Sequence, residues 1–315
     1  MSQPEDFASI FGSEPEGDGP SSGAFDDLLE DMGGSSFISV SKLIDQSIRN
    51  EQTSRRMDGF HPSFIAGRKC LNAYYKSVTQ DMPQEHFSPR TLRIFANGED
   101  VHKRLQRIMK PHLLGTWQCR NCHTVHNEHH VYVEWLRHRA EHGDFSAKAE
   151  LQFIADNASL EPEPCPEKCV NCEYDSFKYL EWRVIDTRYN VTGKIDGVIR
   201  IDGNDYGWEI KSANKRSFDS ASYIQKYKSQ FALYLHLLGL TRGIITIECK
   251  DNQELKDIQV TTDSIDIGDE LQLMLTVNRI RRGEQELPPP VFNTECKDCP
   301  FYGKSCSPAS NEKNT

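Results

Sequence analysis

The stretch Gly193-Lys-Ile-Asp196-Gly-Val-Ile-Arg-Ile-Asp202-Gly203-Asn204-Asp-Tyr-Gly-Trp-Glu209-Ile-Lys211 decides the fold. Two runs rich in Ile and Val flank a turn signal, which predicts a β-hairpin. With Gly203-Asn204 as the two turn residues, a type that starts with Gly, Asp202 faces Asp205 and Asp196 faces Lys211. Side chains repeat every second residue along a strand, so Glu209 shares a face with Lys211 and lies diagonal to Asp196. The opposite face collects Ile195, Ile199, Ile201, Trp208 and Ile210 as a core. Two carboxylates held together suit a hard cation such as Mg²⁺ or Mn²⁺. Such an ion polarises a phosphodiester and lowers the pKa of a bound water, while Lys211 orients that water or stabilises charge. An isolated Asp…Glu-x-Lys also reads as a surface hairpin whose Lys pairs with its acidic neighbours. The buried opposite face and the helix that follows weigh against that.

Outward from the hairpin, strands are expected at 181–186, 192–201, 205–211, 243–249 and 256–261, with helices at about 220–239 and 263–282. Residues 38–112 read as mostly helical, with one helix starting near Ser63 and holding Cys70, and another near Ser88 holding His102. Helices flanking a short mixed sheet give an α/β core. The helix at 220–239 carries Gln230 and Tyr234 on one face, four residues apart, with Lys226 and Lys228 just before them.

Asp196, then Glu209-x-Lys211, then Gln230-x-x-x-Tyr234 resembles the PD-(D/E)xK nucleases of the RecB-like exonuclease family. The resemblance spans about residues 60–306. It implies a restriction-endonuclease-like core, with Asp196, Glu209 and Lys211 catalytic. An upstream helical His in that family binds the same metal, and Gly98-Glu-Asp-Val-His102 is similar to its motif. His102 is thus the third expected ligand beside Asp196 and Glu209, and Glu181 is a candidate helper. Gln230, Tyr234, Lys226 and Lys228 are expected to support the site or touch DNA, together with Lys211, Lys215 and Arg216.

Ten cysteines without a secretory signal point to metal rather than disulfides. Cys119-x-x-Cys122 and Cys169-x-x-Cys172 form two knuckles, the strongest local zinc signal in the chain. Their separation exceeds ordinary ribbon spacing, so a helical excursion around Glu134–Ala155 must loop out. His123, His126 and Cys165 are spare ligands. A further triad, Cys296-x-x-Cys299 with Cys306, lacks a fourth ligand, and Cys70 lies far upstream. One Cys before the core and three after it resembles the iron–sulfur nucleases of the AddB type and the CRISPR-associated exonucleases. The resemblance implies a 4Fe–4S cluster on Cys70, Cys296, Cys299 and Cys306; the residues alone leave zinc open. Cys249 reads as an inert buried strand residue.

The expected organisation is an acidic disordered tail (1–36), a helical part of the nuclease domain (37–112), a zinc-binding insertion (113–180), the nuclease core (181–285) and a C-terminal iron–sulfur segment (286–315). The tail holds nine acids and no Lys or Arg, against a formal charge of −10 for all 315 residues. The remainder is nearly neutral, so DNA binding is compatible with the acidic balance but gains no support from it. Two apolar clusters in the tail, Phe7, Ile10, Phe11 and Phe25, Leu28, Leu29, suit one amphipathic turn each on a replication or recombination partner, or arise by chance. No apolar run suits a membrane span and no signal peptide follows Met1. No phosphate-cradling Walker sequence occurs, so any motor is a separate partner. Small nucleases of this kind occur in phages and CRISPR systems, which implies a cytoplasmic protein, in host cytoplasm if phage-encoded. The competing reading is a non-catalytic nucleic-acid-binding scaffold on the same fold; a third is an iron–sulfur sensor.

Overall fold

The hairpin closes one residue earlier than expected, through Asp202-Gly203. In the computed structural model Ile201 pairs with Asn204 and Gly197 with Trp208. Both turn residues are left-handed, with φ of 50° at Asp202 and 74° at Gly203. That is the backbone an Asp-Gly turn of the primed type requires, and it matches the twist of the strands. Asp196 therefore comes level with Glu209 rather than Lys211. Ile201, expected in the core, is 37% exposed, whereas Ile195, Ile199, Trp208 and Ile210 are buried.

The structure describes residues 40–50, 59–66, 68–80, 87–127, 136–137, 139–141, 143–157, 163–186, 188–292, 296–297 and 299–306, with side chains except at 153–157, 222 and 226. The acidic tail and its two apolar clusters lie outside them. Helices α1 (Val40–Asn50), α2 (Pro62–Ile65), α3 (Leu71–Thr79) and α4 (Pro89–Ile108) come first, followed by the short strands β1 (Leu113–Leu114), β2 (Thr116–Cys119) and β3 (Val125–His126). Next are α5 (Phe145–Asn157), β4 (Phe177–Leu180), β5 (Trp182–Asp186), β6 (Val191–Ile195), β7 (Gly197–Ile201) and β8 (Asn204–Ala213). The chain continues through α6 (Lys215–Phe218), α7 (Ala221–Leu238), β9 (Arg242–Cys249), β10 (Leu255–Thr261) and α8 (Gly268–Arg281).

The central sheet runs β1-β7-β8-β9-β10. Only its β8–β9 pair is parallel, so the sheet is mixed. Parallel pairing needs a crossover, which α6 and α7 supply. Gly207 of β8 and Gly243 of β9 sit side by side in that pair. A Cβ on Gly207 would meet Leu235 at 2.4 Å, and one on Gly243 would meet Phe231 at 2.5 Å. These two glycines let α7 settle directly onto the sheet. Phe231, Ala232, Leu233, Tyr234 and Leu235 are consecutive and all buried, so this stretch of α7 is enclosed on every side. It stops at Gly239, whose φ of 69° accepts the left-handed cap.

Helix α4 covers the opposite face, with Gly98 against Ser212 and Arg104 bonded to Glu248. Ser88 caps it by accepting the Thr91 N–H at 3.1 Å, and Pro89 opens its first turn. The molecule is thus mixed α/β, with helices flanking a mixed central sheet. Two smaller sheets adjoin it, the ribbon β5–β6 and the three-stranded β3-β2-β4.

The helix expected to hold Cys70 is broken into α2 and α3, and Cys70 stands just before α3. The Tyr74 hydroxyl donates toward the carbonyls of Ile65 and Arg68 at 2.9 and 3.2 Å, satisfying the break from within the core. The last helix starts later than expected, at Gly268, because Thr262–Ser264 form a 3₁₀ turn. No described helix is long and apolar enough to cross a membrane.

Candidate functional site

Between β6 and β7 the chain leaves the ribbon and enters the central sheet, and Asp196 stands at that step. Its carboxylate is fixed from two sides. Oδ2 accepts the Ile210 backbone N–H at 2.7 Å, and Oδ1 lies 3.1 Å from His102 Nδ1. Gln106, one turn after His102 on α4, donates to the Asp196 carbonyl at 2.9 Å. His102 and Gln106 face the site because Val101 and Leu105, beside them on the helix, are buried in the core. Gln106 escaped the sequence reading, although its four-residue spacing from His102 was a usable signal.

His102, Glu181 and Asp196 can each offer one ligand atom, all within 4.8 Å of one another. The group at single-ion spacing thus includes Glu181, read only as a helper, while Glu209 stands next to it. Glu209 is 4% exposed; its Oε1 takes a 2.5 Å bond from Lys211 Nζ, and Oε2 has no hydrogen-bond partner among the described residues. A buried carboxylate oxygen left without a partner is costly unless something else occupies its lone pairs. Burial, offset in part by Lys211 and reinforced by the negative charge of Asp196, pushes the Glu209 carboxyl up to about 7. Burial and Asp196 likewise raise Glu181. Burial lowers His102, but its hydrogen bond to Asp196 and that residue's charge more than offset this, so the imidazole is held above its ordinary value. Lys211 is kept charged by Glu209 and Asp196 against the cost of its burial. Unlike charges close together and crowded acids mark this as a strained electrostatic site.

The support residues are dispersed. Tyr234 is buried, and its hydroxyl occupies the space where a Cβ on Gly193 would stand, 2.8 Å away. The ring of Tyr227 lies under Lys211 Nζ, 5.0 Å from its centroid, and Tyr223 donates to the Ser212 carbonyl at 3.2 Å. These two tyrosines were missed by the sequence reading; their four-residue spacing on α7 was the available clue. Gln230 and Lys228 are half-buried on α7. The side chain of Lys226 lies outside those described.

Cys119, Cys122, Cys169 and Cys172 converge, with Sγ–Sγ distances of 3.6 Å for 119–172 and 3.4 Å for 122–169. Four thiolates around one ion at ~2.3 Å stand roughly 3.8 Å apart, so the set fits a single tetrahedral metal. Both knuckles use one local design. His123 N–H donates to the Cys119 carbonyl and Glu173 N–H to the Cys169 carbonyl, at 3.1 and 2.8 Å, and both donors have positive φ. Hydrogen bonds from Thr124 lower the Cys122 thiol to about 6, readying it as a thiolate ligand. Cys165, His123 and His126 are not in this group. The first knuckle hangs from β2 and the second precedes β4, the strand paired with it, so one sheet carries both. Of the looped-out excursion, residues 128–135 lie outside those described, and α5 occupies its later part.

Cys70, Cys296, Cys299 and Cys306 also gather. Burial, then the charges of Cys299, Cys70 and Cys296, raise the Cys306 thiol against the nearby Lys76. Lys76 Nζ bonds the Ser305 carbonyl at 2.7 Å, and Asn72 bonds that of Pro288 at 3.1 Å, docking the C-terminal segment on α3. This quartet does not contract to the single-ion spacing of the other four cysteines. Cys249 is buried, as expected.

The chain matches no family model. No curated protein matches it either. Among solved structures it is similar to a crystal structure of SSO0001, at 13% identity over 84% of this chain and 95% of that one, with a TM-score of 0.37. A likeness at that level carries no argument about function.

Proposed function

We propose that this chain is a metal-dependent DNA nuclease of the PD-(D/E)xK type, with a restriction-endonuclease-like core and RecB-like exonuclease character. One observation carries the reading: the buried Glu209, with an unpartnered oxygen and a lysine on the other, stands beside the His102–Glu181–Asp196 group. This donor set, one imidazole and several carboxylates, fits Mg²⁺ or Mn²⁺. His102, Asp196 and Glu209 would hold the ion, with Glu181 in reach. When bound, it supplies Lewis acidity toward a phosphodiester and an acidified water.

The chain's own residues then do the rest. Ile210 N–H and His102 hold the Asp196 carboxylate in place, which costs no reorganisation during reaction. Lys211 keeps its proton and presents a positive charge where a phosphate gains negative charge. The Tyr227 ring faces the Lys211 ammonium, and Tyr223 packs edge-on against that ring.

Zinc on Cys119, Cys122, Cys169 and Cys172 is the second part of the proposal, and a 4Fe–4S cluster on Cys70, Cys296, Cys299 and Cys306 the third. The cluster would tie the C-terminal segment to α3, and the zinc would close the insertion that has little core of its own.

The test is direct. Purified protein with Mg²⁺ or Mn²⁺ is offered 5′- and 3′-labelled single- and double-stranded DNA, beside Asp196→Ala. Cutting by wild type and loss in the variant are expected. Identical behaviour of the two proteins rules the nuclease reading out and leaves a binding scaffold.

A further inference from the structure

The ribbon β5–β6 turns one face inward and leaves the other to solvent. Trp182, Val184, Val191 and Ile195 are buried on the inner face. On the outer face Arg183 and Lys194 are direct cross-strand partners and both are exposed. Like charges opposite one another destabilise a strand pair. Neither side chain has an acid at ion-pair distance among the described residues. Arg183 follows Glu181 by two residues and Lys194 precedes Asp196 by two, so the pair lies next to the metal group.

At the far end of the ribbon is a hollow of about 340 Å³, lined by Arg188, Asn190, Asn278, Arg281 and Arg282. No carboxylate among the described residues lines it. Asn278 is buried and donates to the Arg188 carbonyl at 3.3 Å, which ties the ribbon's turn to α8. The Arg188 guanidinium lies over Tyr189, 4.3 Å from the ring centroid, and bonds Asp186 at 3.2 Å. Arg282 pairs with Glu284 at 2.5 Å, whereas Arg281 has no acidic partner among the described residues. The C-terminus of α8 explains cations at Arg281 and Arg282 by itself. It does not explain Arg183 opposite Lys194, at the ribbon's other end, in a chain that is acidic overall.

We propose that the outer face of β5–β6 is a track for the backbone of one nucleic-acid strand. Lys194 and Arg183 take phosphates beside the metal group, and the hollow anchors another phosphate with Arg281 and Arg188. The two ends are roughly 13 Å apart, four residues from Asn190 to Lys194 at about 3.3 Å each. Arginine forks suit phosphate oxygens, and a bound anion removes the repulsion that the bare ribbon carries. The track deepens the nuclease reading and rests on it for the identity of the ligand.

The experiment measures binding, not cutting. In an Asp196→Asn background, fluorescence anisotropy follows a labelled single strand long enough to span the track, and a dinucleotide too short to do so, across a salt series. Arg183→Gln/Lys194→Gln/Arg281→Gln is compared with Arg49→Gln/Arg107→Gln/Lys178→Gln, exposed cations on α1, α4 and β4 that give the same charge change. Losing three phosphate contacts lowers the slope of log affinity against log salt by about 2 for a single strand. That change is expected for the long strand with the track triple alone, with dinucleotide binding unmoved and melting temperature kept. An unchanged slope, or an equal change in the control triple, overturns the track. A protein that cuts DNA but shows an unchanged slope loses the track and keeps the nuclease. One that binds through these three residues but never cuts keeps the track and loses the nuclease.

Discussion

Asp196 Oδ2 accepts the backbone N–H of Ile210 at 2.7 Å, across the step where the chain passes from the ribbon into the central sheet. Ile210 lies between Glu209 and Lys211, so one hydrogen bond ties Asp196 to the strand carrying Glu209 and Lys211. The bond needs a carbonyl-type oxygen and not a negative charge. Asp196→Asn should therefore keep the fold close to wild type while cutting falls at least ~100-fold, on the scale of losing one preorganised electrostatic group. Asp196→Ala should in addition cost about 1–3 kcal/mol, because the buried Ile210 N–H loses its acceptor. Urea unfolding and labelled-DNA cleavage read the two effects separately. Wild-type cutting by the Asn variant would remove Asp196 from the site.

Protonation of Glu209 should govern metal binding near neutrality. Its folded value, about 7, is raised above the usual carboxylate range, so below that pH the group is mostly neutral and above it charged. A cation displaces the proton, so Mn²⁺ affinity and cutting should both rise as pH passes upward through about 7 and then level off. The metal-free protein should show the opposite trend in this contribution, since folding takes up a proton between the unfolded and folded values and stability falls as pH rises across that interval. Calorimetric Mn²⁺ titrations at several pH values, with Glu209→Gln as reference, check the sign. A pH-independent affinity contradicts it.

Gly243 should tolerate no side chain. A Cβ there meets Phe231 at 2.5 Å and the Gly207 carbonyl oxygen at 2.8 Å, and backbone cannot rotate away. Gly243→Ala should cost about 1–3 kcal/mol through overpacking and loosen α7 from the sheet. Chemical denaturation gives the number, and increased exchange of α7 amides shows where it acts. A cost near zero means that the helix does not sit as close as described.

Removing metal from the first cysteine group should open one sheet and spare the other. Cys119→Ser should release about one zinc per chain. The three-stranded sheet should become protease-sensitive while the central sheet keeps its protection. Metal analysis with limited proteolysis reads this, and unchanged metal content would show that the four cysteines do not hold zinc.

Cys299→Ser should act at the other end of the chain. Iron and the visible absorption of an iron–sulfur cluster should be lost, with α3 and the C-terminal segment separating. If zinc rather than iron is recovered from the wild-type protein at this site, the cluster is wrong and the cysteine grouping stands.

The spacing Asp196, Glu209, Lys211 and the two knuckles could be read from the chain because strand alternation and Cys-x-x-Cys turns are local rules. So could the helix starting near Ser88 and the one at about 220–239, and the structure adds the Ser88 cap and the Gly239 stop. The hairpin's register was misread because Asp202-Gly203 and Gly203-Asn204 are both plausible turns, and the left-handed φ of Asp202 chose between them. Sliding the turn by one residue changes which residues oppose one another but leaves Glu209 and Lys211 on one face, and Asp196 stays next to Glu209 in either register. Glu181 at the metal group, Gln106 under Asp196 and Tyr227 under Lys211 depended on how α4, α7 and the ribbon pack together. Contacts across so many residues are set by the shape of the whole core, here by Gly207 and Gly243 admitting α7, and no local pattern encodes that distance.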